Sequence, residues 1–125
     1  MADERFQRGW DTVNRINAEG AQRQWDTLSA IAPDFARSIV ESAYCDVPSR
    51  PGLALRDREI ATLASLATLG NAPTQLKAHV EGVLNVGVTR DEIVEVLMQM
   101  AVYAGAPAAI NAMQIAGEVF LARGL

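Results

Sequence analysis

The sequence predicts an all-α protein, a single-domain bundle of about six helices. Three observations carry that expectation. Apolar residues recur at three- and four-residue spacing along nearly all of the 125 residues. Prolines and glycines mark the gaps between these periodic runs. No segment of the chain reads as a strand candidate.

The elements follow in order. In Asp3 to Asn17, Phe6, Trp10, Val13 and Ile16 make one stripe, which Gly20 interrupts. A second segment, Gln22 to Ile31, carries Trp25 and Leu28. Pro33 suits a first helical position, where a backbone N–H has no helical partner to lose. Phe35, Ile39 and Val40 begin the next stripe, which fades near Tyr44 and Cys45. The stretch DVPSRPGL, Asp46 to Leu53, holds two prolines and a glycine and reads as a loop. Leu55 to Leu69 is a strong helix, broken by Gly70 and Asn71. Pro73 opens another, running to about Val86 with Gly87 as its cap. Thr89 to Glu92, TRDE, is a capping box: the Thr hydroxyl accepts from a first-turn amide and the Glu reaches back. The helix it starts runs to about Tyr103, and Gly105 and Pro107 separate it from a last helix, Ala108 to Arg123. These last two helices are rich in alanine and glycine. That suits close helix pairs within or between subunits, although alanine is also simply a good helix former.

Composition narrows the function classes. The formal net charge is −4 and the basic residues form no block, which argues against a nucleic-acid partner. No apolar run reaches the length of a membrane span, and the charged start MADERFQRGW has no apolar signal core, so the expected location is cytoplasmic. The single cysteine, Cys45, excludes an internal disulfide.

Five positions stand out chemically. His79, the only histidine, shares a helix face with Leu76 and Val83; it is either a packed core histidine or a proton carrier. A metal role has little support, because no second histidine or cysteine cluster accompanies it and Glu81 points elsewhere on the helix. Glu59 sits near a helix start, where a carboxylate interacts well with the dipole; it also orients or shares a proton with His79 if the two helices pair. Arg50, between Pro48 and Pro51, and Arg58 are either anion anchors or plain surface charges. Cys45, without a second thiol nearby, is a small half-buried residue or a peroxide-reactive thiol.

The stretch SRPGLALRDREIATLASLATLG, followed by QLKAHVEGVLNVGVTRDEIVEVLMQMAVYAGAPAAINAM, resembles the carboxymuconolactone decarboxylase family. The similarity runs from about Ser49 to Ala116, so that residues 1–48 read as N-terminal helices and 49–125 as the family core of one domain. The resemblance implies an alkylhydroperoxidase-D-like subunit in a symmetric homo-oligomer, a hexamer before a trimer. It also implies a pocket near His79 and a decarboxylase or related isomerase, as in aromatic-compound degradation, that works on a small carboxylated lactone without metal or cofactor. The peroxidase branch of the superfamily carries two cysteines where this chain has Ala72 and Gln75, so its nucleophile is missing. Glu59 matches the glutamate of that branch and stands where a serine is expected in the decarboxylases. Tyr44 and Pro48 occupy tryptophan places, and a histidine often found near Gln99 is absent. The resemblance thus makes His79 and Glu59 the catalytic candidates, Arg50, Arg58, Tyr44 and Gln99 the substrate-binding ones, and Cys45 a redox candidate. A thiol peroxidase using Cys45 and a non-enzymatic oligomeric binding module are the alternative readings.

Overall fold

The computed structural model describes residues 2–125; Met1, the first residue of the predicted domain, lies outside them. Six α-helices and one π-helical segment account for the ordered elements, with no strand among the described residues. The chain divides into two compact units, one ending at Leu55 and the other spanning Arg56–Leu125.

The first unit opens with α1, Ala2–Ile31, which breaks at Asn17 (φ −157°, ψ 89°). The break folds the helix back on itself. Trp10 and Trp25 would lie about 22 Å apart along an unbroken helix, yet their ring centroids are 5.7 Å apart. Phe6 completes the cluster, 6.1 Å from Trp10 and 5.3 Å from Trp25. Asn17 caps the second arm, its Oδ1 accepting the Gly20 amide N–H at 2.9 Å. The interruption expected at Gly20 therefore sits earlier, at Asn17. Gly20 belongs to the arm that Asn17 caps, and its part is to leave room: a Cβ there would stand 2.8 Å from Asn17 Nδ2.

Next comes α2, Pro33–Ser38, with Pro33 in its first turn as expected. The backbone then widens into a π-helical segment, Ile39–Asp46, where periodicity had indicated one helix fading out. This segment buries Val40, Glu41 and Cys45. The Val40 carbonyl seats against Gly9 of α1, so closely that a Cβ on Gly9 would lie 2.2 Å from its oxygen. Arg5 of α1 donates to Glu41 Oε2 at 2.8 Å and to Asp46 Oδ1 at 2.7 Å. Arg37 Nε reaches Glu41 Oε1 at 2.7 Å, and its guanidinium also lies over the Phe6 ring.

The second unit consists of α3 (Leu55–Leu69), α4 (Pro73–Asn85), α5 (Arg90–Tyr103) and α6 (Ala106–Arg123). The first three match the predicted bounds to within a residue. The last starts at Ala106, two residues before the predicted Ala108, because Pro107 fits inside the first turn and need not precede the helix. The capping box forms in both directions: Glu92 N–H donates to Thr89 Oγ1 at 3.1 Å, and Thr89 N–H donates to Glu92 Oε1 at 3.0 Å. Arg56 at the start of α3 pairs with the remaining Glu92 oxygen, so one carboxylate joins the starts of α3 and α5. That pairing with Arg56, aided by the Thr89 backbone, holds the Glu92 carboxyl below its usual range.

Each helix contributes a buried stripe to one core, including Leu63 and Ala67 of α3, Val80 and Val83 of α4, and Ile93 and Leu97 of α5. Helix α6 packs closely against α4 and α5. Its Ala109, Ala112 and Ala116 are buried, so this part of the small-residue pattern serves contacts inside the unit. Met98, Val102, Tyr103, Ile110 and Leu121 remain exposed. No helix among the described residues is long and apolar enough to cross a membrane.

Candidate active site

Packing of α3 and α4 into one core brings the candidate pair together. In α3 the buried positions are Glu59, Leu63 and Ala67, each four residues from the next. Glu59 therefore continues an apolar stripe at the N-terminal end of the helix. In α4 the buried positions include Leu76, Val80 and Val83, and His79 lies beside them. The two stripes enter one core, which sets the imidazole against the carboxylate. His79 Nδ1 lies 2.7 Å from Glu59 Oε2. The side chains are 15% and 5% exposed, so the pair is largely withdrawn from water.

When the carboxyl is ionised it only accepts, and Nδ1 then carries the hydrogen of this bond. The neutral imidazole then has its lone pair on Nε2; the imidazolium has a second N–H there. No partner engages Nε2 among the described residues, and Glu59 has only His79. Orientation by a carboxylate at one ring nitrogen, with the other nitrogen available, is the arrangement of a general acid–base group.

The other predicted residues lie elsewhere. Arg58 is half-buried on α3 beside Glu59, and Gln99 is exposed on α5. In the first unit, Arg50 is exposed in the loop after the π-helical segment, where its amide donates to the Val47 carbonyl. Tyr44 lines a small apolar hollow with Trp10, Trp25 and Val40. Cys45 is only 2% exposed, and Arg8 Nη2 lies 3.5 Å from its sulfur. No group of three His, Cys, Asp or Glu side chains is placed to hold a metal ion among the described residues.

Sequence reasoning missed the buried carboxylate Glu41 and its two arginines. The readable signal was Arg37 four residues before Glu41, the spacing of a helical ion pair. The contribution of Arg5, 36 residues away, had no local signature.

Comparison with known proteins agrees with the motifs. A model of the carboxymuconolactone decarboxylase family matches residues 33–118. The chain is 34% identical over 119 residues to 4-carboxymuconolactone decarboxylase of Acinetobacter baylyi, covering 94% of this chain and 88% of that protein. It is 25% identical over 121 residues to an uncharacterized 15.0 kDa protein of Paracoccus denitrificans, covering 96% of this chain and 90% of that protein. A shorter match, 41% identical over 75 residues, joins 60% of this chain to 52% of nitrosuccinic acid decarboxylase of Metarhizium robertsii.

Proposed function

The chain belongs to the carboxymuconolactone decarboxylase family, and from that premise we propose that it is a decarboxylase, a carbon–carbon lyase acting on a small carboxylated substrate. The observation that carries the reading is the buried Glu59–His79 hydrogen bond with Nε2 left available. When CO2 leaves, its bonding electrons must enter an acceptor group. A substrate that contains the acceptor needs no metal or organic cofactor for that step. The protein then has to steady the developing anion and deliver a proton to carbon. His79 Nε2–H does the latter, and while donating it also stabilises the anion, an effect on the order of 3 to 4 kcal/mol for a well-placed donor. Glu59 fixes the ring and steadies the imidazolium before transfer.

Two decarboxylase relatives narrow the substrate class. In nitrosuccinic acid one carboxyl shares its carbon with a nitro group. In 4-carboxymuconolactone the carbon that bears the carboxyl is joined through an alkene to a lactone carbonyl. Both are succinates in skeleton, with an acceptor on the carbon that can lose CO2 and a CH2–carboxylate that stays. We read the substrate of this chain as a 2-substituted succinate of that kind. The retained carboxylate calls for a cation, and we assign Arg58 of α3 to it. Holding the retained group and not the departing one avoids stabilising the ground state more than the transition state.

The test compares CO2 release from nitrosuccinate and 4-carboxymuconolactone with release from unsubstituted succinate. Turnover of at least one of the first two, with none of the third, is expected; turnover of none ends this reading. A Cys45 peroxidase is the weaker reading, since the thiol is buried and lacks a second cysteine to resolve it. The exposed Met98, Val102, Tyr103 and Ile110 suit a symmetric homo-oligomer, a hexamer on the strength of the resemblance, which sedimentation velocity would check.

A further inference from the structure

We propose that the Glu59–His79 pair has a second activity: stereospecific proton exchange on the decarboxylated product, at the carbon that takes up the proton after CO2 loss. The inference rests on the decarboxylase reading above and adds the reverse proton transfer. One ring nitrogen is committed, because Nδ1 is bound to the Glu59 carboxylate at 2.7 Å. The other, Nε2, has no partner among the described residues.

Among the described residues, no ionisable group other than Glu59 is hydrogen-bonded to or paired with His79. Positions one turn away on α4 are Gln75, Leu76, Gly82 and Val83, none of them ionisable. The charged groups of α6 are engaged elsewhere, Glu118 near Lys77 at 4.0 Å and Arg123 on Asn85 at 3.0 Å. On α3, Arg56 is held by Glu92 and Asp57, and Arg58, which stays protonated at neutral pH, has no lone pair to act as a base. A single nitrogen therefore gives the proton to carbon. By microscopic reversibility, the same nitrogen, once neutral, removes it from the same face.

The step balances simply. The product C–H bond breaks, its electron pair enters the acceptor group, and the proton forms an N–H bond at Nε2. The imidazolium exchanges that proton with solvent and returns a deuteron in D2O. Nothing is oxidised or reduced. Two consequences distinguish this from spontaneous exchange, which takes both hydrogens of a CH2 group. The enzyme replaces one hydrogen, and the configuration formed equals that left by decarboxylation in D2O. The two reactions also oppose each other in pH. Protonation of carbon after CO2 loss uses imidazolium, whereas exchange begins from neutral imidazole, so exchange rises over the range where decarboxylation falls.

The experiment incubates the whole protein with 3-nitropropanoate in D2O and follows the nitro-bearing carbon by proton NMR, while CO2 release from nitrosuccinate is measured in parallel. Expected are one deuterium per molecule, opposed pH limbs, and at least about a hundredfold loss of catalysed exchange in His79→Gln. CO2 release without catalysed exchange overturns this proposal and leaves the decarboxylase reading standing. Absence of exchange, together with absence of CO2 release from both nitrosuccinate and 4-carboxymuconolactone, overturns both. Two deuteriums per molecule, parallel pH limbs, or full exchange in His79→Gln would also overturn the assignment. The stereochemical and pH arms use the unaltered protein and hold even if His79→Gln fails to fold.

Discussion

Among the described residues each compact unit buries one glutamate, and the two differ in their partners. Glu41 in the first unit is 7% exposed and has both oxygens taken, one by Arg5 at 2.8 Å and one by Arg37 at 2.7 Å. Guanidinium groups stay charged at any ordinary pH, so this carboxylate is permanently matched. Glu59 in the second unit is 4% exposed and, among the described residues, is bonded to an imidazole that can gain or lose a proton. Both arrangements satisfy the rule that buried charges are paired. Only the second can change its charge state during a reaction. The partner's chemistry, more than the burial of the carboxylate, separates a strut from a reactive group.

Exchanging the two roles by mutation tests that distinction. The largest effect is expected for His79→Ala, with kcat for CO2 release falling by about a hundredfold or more while the thermal midpoint stays within a few degrees. A midpoint that collapses while the folded fraction keeps its turnover would return His79 to the core. The converse change, Glu41→Gln, leaves two arginines short of a charge. It should lower stability by about 1.5 to 3 kcal/mol in urea unfolding, with kcat of the folded protein unaltered. Loss of activity at full stability would show that Glu41 is more than a strut.

Asn17→Ala removes the cap of the second arm of α1 and should lower stability by about 1 kcal/mol, read from the same urea transitions. The smallest effect concerns exposed carboxylates. Asp46, beside Arg5, and Glu92, beside Arg56, both ionise below their usual range in the folded chain. A folded pKa below the unfolded one gives stability that is present above the unfolded value and fades as pH falls through the folded one. Acid titration should therefore show a modest decline starting below about the ordinary 3.8 of Asp46 and 4.5 of Glu92. Arg5→Gln should remove the Asp46 part and Arg56→Gln the Glu92 part, each seen as a flatter acid limb.

Local chemistry made much of this legible. The Thr89–Glu92 box, Pro33 and Pro73 act over three or four residues, so the sequence alone exposes them. The break at Asn17 was harder, because the apolar stripe passes through Ile16 and the cap depends on a side-chain choice. The π-helical segment left no mark in the spacing of apolar residues. His79 and Glu59 could each be nominated from the chain. Their contact joins positions 20 residues apart through the packing of α3 and α4 in one core, which periodicity does not encode. Gln99 and Tyr44 came from the resemblance. Gln99 is exposed on α5 and Tyr44 faces an apolar hollow, so neither position announces a polar task.

The corner of α1 also constrains how this sequence can drift. Asn17 keeps its place because residue 20 has no side chain, and Gly20 is worth keeping only while Asn17 holds its amide. Substituting Gly20 by alanine first would displace the cap, after which loss of Asn17 would add little. The two positions are expected to be strongly non-additive in a double-mutant cycle. The two residues therefore act as one unit: changing either removes most of what the other contributes.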